Sequence, residues 1–218
     1  MTKRKTQFRL GTRLAVACLF GIAFIGFTVG SLINSSKDVA PTGRTAPGVN
    51  VDTQDLQRVV LQSHRGLTTN WGSFAASQRV VFFGYTFCPD ICPIGLSNVA
   101  GAIDILDERG TRLRPIFITV DPKRDTPEVL DDYVTAFHER FEGLTGKEER
   151  IRTLASAFLA YFEVNADTKG DEYYLVDHTS FVYLVGETGE LLGYYPESNS
   201  PEELASAILS DLNLNRRN

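Results

Sequence analysis

Apolar residues along this 218-residue chain fall into three regimes. The first is one uncharged run, LAVACLFGIAFIGFTVGSLI, from Leu14 to Ile33. As a helix it would rise ~30 Å, the thickness of a hydrocarbon core. The second, NSSKDVAPTGRTAPGVNV from Asn34 to about Val51, is rich in Ser, Thr, Pro and Gly and has no apolar period. It reads as a flexible tether with an r.m.s. span of about 25 Å.

From residue 52 onward, short continuous apolar runs alternate with apolar residues at helical spacing. RVVFFGYT (Arg79 to Thr86) and LRPIFITV (Leu113 to Val120) predict strands buried on both faces. Leu96, Val99, Ile103 and Leu106 predict a helix that stops at Gly110. Leu130, Val134, Phe137 and Phe141 predict another, opened by Thr126 as N-cap and Pro127 at its first position. Ile151, Leu154, Ala155 and Phe158 mark a further helix. SFVYLVG and ELLGYY flank Glu187, Thr188 and Gly189 as a hairpin, and Pro201 begins a last helix carrying Leu204, Ile208 and Leu212. With a weak early strand near Val59 to Leu61, the order β-α-β-α-β-β-α is that of a thioredoxin-like α/β sandwich, a central mixed sheet flanked by helices. The expected organisation is a basic cytoplasmic segment (1–13), a transmembrane helix (14–33), a tether (34–51) and one folded domain (52–218).

Charge sets the orientation. Lys3, Arg4, Lys5, Arg9 and Arg13 precede the apolar run, so the N-terminus is expected in the cytoplasm and the domain beyond the membrane. A cleaved leader would have a shorter apolar region and an A-x-A-like site, so a retained single-pass anchor is expected. The predicted address is a bacterial inner membrane, with the domain in the periplasm or another extracytoplasmic space. Net charge is -5 and no basic cluster is visible in the sequence outside the two ends, so no nucleic-acid partner is expected.

The chain has three cysteines. Cys18 lies within the apolar run and reads as a small membrane-helix residue. Cys88 and Cys92, in YTFCPDICP, are the thiols of the exported part, and must form a disulfide, hold a metal or do redox work. Pro89 and Pro93 bias both cysteines to extended backbone. Pro93 suits the first helical position, which puts Cys92 at or near the N-cap, where the helix dipole favours thiolate. Of three histidines, His64 and His138 sit in polar stretches and are expected to be solvated. His178 enters the hairpin strand, in a link that runs past the active-site cysteines in this layout. Thiol oxidoreductases normally carry a cis-proline there; here the tripeptide is His178, Thr179 and Ser180. Two thiolates and one imidazole select a soft metal, copper or zinc. Structural zinc usually has four protein ligands, whereas a trigonal site suits Cu(I). Pure thiol redox chemistry and a structural disulfide are the alternatives these residues allow.

FFGYTFCPDICP, VDPKRDTPEVLDDYV, the LTG at Leu144 to Gly146 and VDHTSFVYLV resemble, in order and spacing, the Sco/SenC proteins. These are membrane-tethered, thioredoxin-like copper proteins that help assemble the dinuclear copper centre of cytochrome c oxidase. The resemblance implies copper ligands at Cys88, Cys92 and His178, with the copper-bearing oxidase subunit and a copper donor protein as partners. Asp121, Pro122, Arg124, Asp125, Thr126 and Pro127 match the family's loop, whose acids could serve near the metal or at a partner; Asp125 and Thr126 could equally cap the next helix. The upstream segment follows the family only loosely, with Ser77 and Gln78 where Gly-Lys is usual. Copper delivery is the leading expectation. The alternative is a thiol-disulfide oxidoreductase acting on oxidase-subunit cysteines, Cys88 attacking and Cys92 resolving. Asp177, on extended backbone, should point away from His178 and not orient it.

Overall fold

The computed structural model describes residues 56–215. The basic N-terminus, the 14–33 run, Cys18 and the 34–51 tether lie outside the described residues, among which no helix is long and apolar enough to cross a membrane. The strands are β1 (Val60–Ser63), β2 (Thr68–Asn70), β3 (Arg79–Gly84), β4 (Arg114–Thr119), β5 (Glu142–Thr145), β6 (Phe162–Val164), β7 (Val176–His178), β8 (Phe181–Val185) and β9 (Leu191–Pro196). The helices are α1 (Ile91–Glu108), α2 (Pro127–Phe137), α3 (Glu148–Ala157) and α4 (Pro201–Asn215), and a 3-10 turn spans Trp71–Phe74.

All six residues of β3 are buried, as its continuous apolar run requires of a strand covered on both faces. It pairs in parallel with β4, Phe82 opposite Phe117, and antiparallel with β8. The sheet runs β2-β1-β5-β4-β3-β8-β9, while β6 and β7 form a separate pair. This is the thioredoxin-like mixed sheet. Alternation along the strands sorts the aromatic rings: Phe82 stacks on Phe117, which meets Tyr133 of α2, while Phe83 meets Phe158 and Tyr183 on the opposite face. α1 packs closely on α4; a Cβ on Gly101 would lie 2.9 Å from the Pro201 ring. α1 ends as its sequence predicts, with Gly110 at φ +74 and the Thr111 N–H returning to the Leu106 carbonyl.

Three features differ from the sequence expectation. α2 stops at Phe137, because His138 turns to extended backbone; Phe141 is buried by leading into β5 rather than by extending the helix. β5 and the β6–β7 pair carry no alternating signature of their own and are held by their neighbours. His64 is buried rather than solvated: its Nδ1 accepts the Gly143 N–H at 3.0 Å, tying β1 to β5.

One buried polar pair anchors α4. Tyr195 on β9 is fully buried and its hydroxyl donates to Asp211 Oδ2 at 2.7 Å. Gly193 leaves the room, since a Cβ there would sit 2.7 Å from that oxygen. Tyr195→Phe leaves a buried carboxylate oxygen without its donor and is expected to cost about 1–3 kcal/mol. Urea unfolding should show a lower midpoint at unchanged m-value.

Candidate metal centre

The cysteine loop follows β3 directly. The Cys88 N–H closes a turn onto the Tyr85 carbonyl at 3.2 Å, and α1 starts at Ile91 with Asp90 as an N-cap whose side chain makes no capping bond. Cys92 is therefore the second helical residue and Pro93 the third, two positions further into the helix than the spacing predicted. Proline is tolerated there because first-turn N–H groups lack intrahelical partners. One such orphan, the Cys92 N–H, donates to Cys88 Sγ at 3.4 Å. The upstream sulfur thus supplies the cap that Asp90 does not.

Cys92 is fully buried, its sulfur seated against the end of β3. A Cβ on Gly84 would lie 2.8 Å from Cys92 Sγ and 2.9 Å from the Phe117 ring, so only glycine fits beneath this thiol.

His178 is the last residue of β7, opposite Phe162 of β6. Its Nε2 lies 3.3 Å from Cys92 Sγ, and the donor atoms of Cys88, Cys92 and His178 all lie within 4.8 Å of one another. All three predicted residues converge. Nδ1 is 3.2 Å from the Thr179 carbonyl oxygen. That oxygen only accepts, so the neutral ring carries its proton on Nδ1 and turns the Nε2 lone pair toward the sulfurs. Tyr85 and Phe82 hold the ring edge-to-face at 5.8 and 6.5 Å, and Tyr85 Oη accepts the Val176 N–H at 3.3 Å. Asp177 points the other way, to the Asn165 amide, as its strand position predicted.

Asp125 is wholly buried and accepts from the Thr86 N–H (3.1 Å), Thr86 Oγ1 (2.6 Å) and Thr119 Oγ1 (2.5 Å). Burial pushes its pKa up while these donors oppose the shift. It braces the cysteine loop from beneath, and Thr126 alone caps α2, accepting the Val129 N–H. Asp121 pairs with Arg124 and accepts the Tyr174 hydroxyl at 2.7 Å, and Arg124 stacks on Tyr174 at 3.7 Å and Phe87 at 4.8 Å. The 121–127 loop thus straps the cysteine loop to the segment carrying His178, and none of its acids joins the donor cluster. Gly84, Tyr85, Thr86, Thr119 and Tyr174 support the site without having been singled out from sequence; the GYT preceding Phe87 was the available signal.

Both thiols are free. The Cys92 thiol donating to Cys88 is the chief cause that pulls Cys88 down to about 4; burial opposes it, and His178 and the N–H groups of Asp90 and Cys92 reinforce it. The same bond, with burial, pushes Cys92 up. The reduced pair therefore carries one thiolate, on Cys88, at neutral pH. Two soft sulfurs and one imidazole suit a thiophilic metal, and the dithiol is also oxidisable.

Thiolate absorbance of the reduced chain should persist through mild acid and fade as pH falls through about 4. The stability this group contributes is complete above the ordinary ~8.5 of free cysteine and is lost over the same descent. Cys88→Ser should abolish that titration. Gly84→Ala should displace Cys92 and destabilise the fold by about 1–3 kcal/mol, read by thermal unfolding and by loss of the low thiol titration.

Known proteins supply an independent comparison. The SCO1/SenC family model matches residues 54–213. An SCO2-like protein of Rickettsia felis is 41% identical over 145 residues, covering 66% of this chain and 70% of its own. Protein SenC of Rhodobacter capsulatus is 36% identical, covering 68% and 66% respectively. The human mitochondrial SCO1 homolog is 34% identical over 154 residues, and the match spans about half (51%) of its length. Among solved structures, copper-bound ScoI of Arabidopsis thaliana superposes with a TM-score of 0.65 at 31% identity, over 71% of this chain and 96% of that one. Copper-bound yeast Sco1 gives 0.65 at 29%, over 71% and 86%. With the family model spanning nearly the whole described domain, the chain belongs to the SCO1/SenC family.

Proposed function

We propose that this protein is a membrane-anchored copper carrier. Cys88, Cys92 and His178 take up one copper ion and pass it to the copper-bearing subunit of cytochrome c oxidase, for its dinuclear centre. The observation that carries the reading is the convergence of two sulfurs and one imidazole nitrogen within 4.8 Å, with no fourth Cys, His or carboxylate in the cluster among the described residues. Two soft sulfurs and one imidazole satisfy Cu(I) and leave a position at which an incoming thiolate can begin ligand exchange. The similarity to ScoI and Sco1 structures with copper bound supports the same cargo.

The ligands differ in access. Cys92 is sealed against Gly84 and Cys88 is also buried, whereas His178 is only partly buried. Exchange therefore starts at His178, and Cys92 is the last ligand to let go. Residues 14–33 serve as the single-pass anchor and 34–51 as the tether, holding the domain on the extracytoplasmic face of a bacterial inner membrane within reach of a copper donor protein. Thiol-disulfide exchange on oxidase-subunit cysteines is the second reading. The low-pKa Cys88 over a high-pKa Cys92 favours it, but it gives the placed imidazole no task.

Full-length reduced chain in detergent, titrated with Cu(I) against a competing chelator, should bind one copper. Cys88→Ala and Cys92→Ala should abolish binding, and His178→Ala should weaken it at least about 10-fold while leaving the dithiol oxidisable. Unchanged affinity in His178→Ala removes the histidine and the carrier reading. Turnover of a disulfide substrate, undiminished in that variant, would establish the oxidoreductase instead.

A further inference from the structure

The end of the sheet opposite the cysteines carries a second charged feature. Parallel strands β3, β4 and β5 all begin there, and an open groove of about 640 Å³ is lined by Arg65, Arg112, Arg114 and Arg140. Glu139 and Glu142 share the groove; Glu142 lies 3.8 Å from His64 Nδ1. Arg140 is paired with Asp107. Arg112 and Arg114 are exposed and have no carboxylate partner among the described residues, although Arg114 lies over the Phe74 ring at 5.4 Å. Buried Arg79, the first residue of β3, lies behind them: burial lowers its pKa only to about 10, so it stays protonated, and the Glu190 carboxylate nearby offsets its charge. Net positive charge is thus gathered at one end of a chain whose total is -5.

The chain enters the described domain beside this groove. Gln57 lines a small pocket with Ala75, Arg79, Thr188 and Gly189, and Ala75 also lines the arginine groove. The polypeptide leading back to the 14–33 run therefore leaves from the basic end, whereas Cys88 follows the far end of β3. The six residues of that strand separate the two ends by about 17 Å.

We infer that this arginine groove is a membrane-contact surface that takes anionic phospholipid headgroups, turning the Cys88, Cys92 and His178 end away from the bilayer and toward a partner. The inference rests on the anchored reading of residues 14–33 given above. Near an anionic surface each arginine adds roughly 1 kcal/mol, about a five-fold effect, which salt screens. A flexible tether the length of residues 34–51 has an r.m.s. span of about 25 Å, so this modest attraction acts at high effective concentration.

The test uses the full chain in lipid nanodiscs, with arginine modification by phenylglyoxal read residue by residue by mass spectrometry. In discs with roughly a third of anionic phosphatidylglycerol, Arg112 and Arg114 should react about five-fold more slowly than in purely zwitterionic discs. About 0.5 M NaCl should erase the difference. In Arg112→Gln/Arg114→Gln, Arg65 should react at one rate in both lipids while copper stoichiometry stays as in the parent chain. Equal reactivity of Arg112 and Arg114 in both discs overturns the groove while leaving anchor and copper site standing. Equal protection by inorganic phosphate in zwitterionic discs makes it a small-anion site and overturns the membrane contact. A chain that does not incorporate into zwitterionic discs removes the anchor, and the inference with it.

Discussion

The first turn of α1 is the constraint on which the cysteine site depends. A helix start leaves N–H groups without partners, and here the Cys92 N–H finds Cys88 Sγ while the Asp90 side chain caps nothing. A spacing of four residues places one sulfur ahead of the helix, where it accepts a first-turn N–H, and the other on that first turn. Negative charge on Cys88 is stabilised chiefly by the Cys92 thiol beside it, and further by His178 and the N–H groups of Asp90 and Cys92, against the cost of burial. A C-x-x-x-C motif in this setting is a preformed pair of one thiolate, Cys88, and one thiol, Cys92.

The rigid part of the domain carries this arrangement on one side only. Cys92 sits on the end of a fully buried strand, against Gly84, and cannot move without disturbing the Phe82 and Phe117 layer. His178 belongs to the small β6–β7 pair outside the main sheet. It is held in place by Tyr85 and, indirectly, by the Asp121–Tyr174 and Arg124–Tyr174 contacts. On the proposed copper reading, one fixed thiol and one imidazole on a strapped segment would suit stepwise release, because the imidazole can leave without unfolding the core.

Direction matters as much as affinity for the proposed carrier role. Strand polarity sets the donor atoms at one end of the sheet and Arg112 and Arg114 at the other, with the chain entering near the latter. The parallel pairing of β3, β4 and β5 forces this segregation, since all three strands begin at one end and finish at the other.

The central strands, α1, α2, the β8–β9 hairpin and α4 were legible in the sequence, because continuous apolar runs, helical spacing, Thr126 and Gly110 are local signals of local structure. So were Cys88, Cys92 and His178 as a candidate set, from the rarity of soft donors after residue 51 and from the family resemblance. The end of α2 and the placement of β5 were not legible: Phe141 satisfies helical spacing and strand burial equally, and only packing chose between them. Nor were the burial of His64, the seat of Cys92 on Gly84, the brace formed by Asp125 with Thr86 and Thr119, or the arginine groove. Each is a contact between residues distant in the chain, and such contacts are decided when the sheet assembles, by which side chains its register brings face to face.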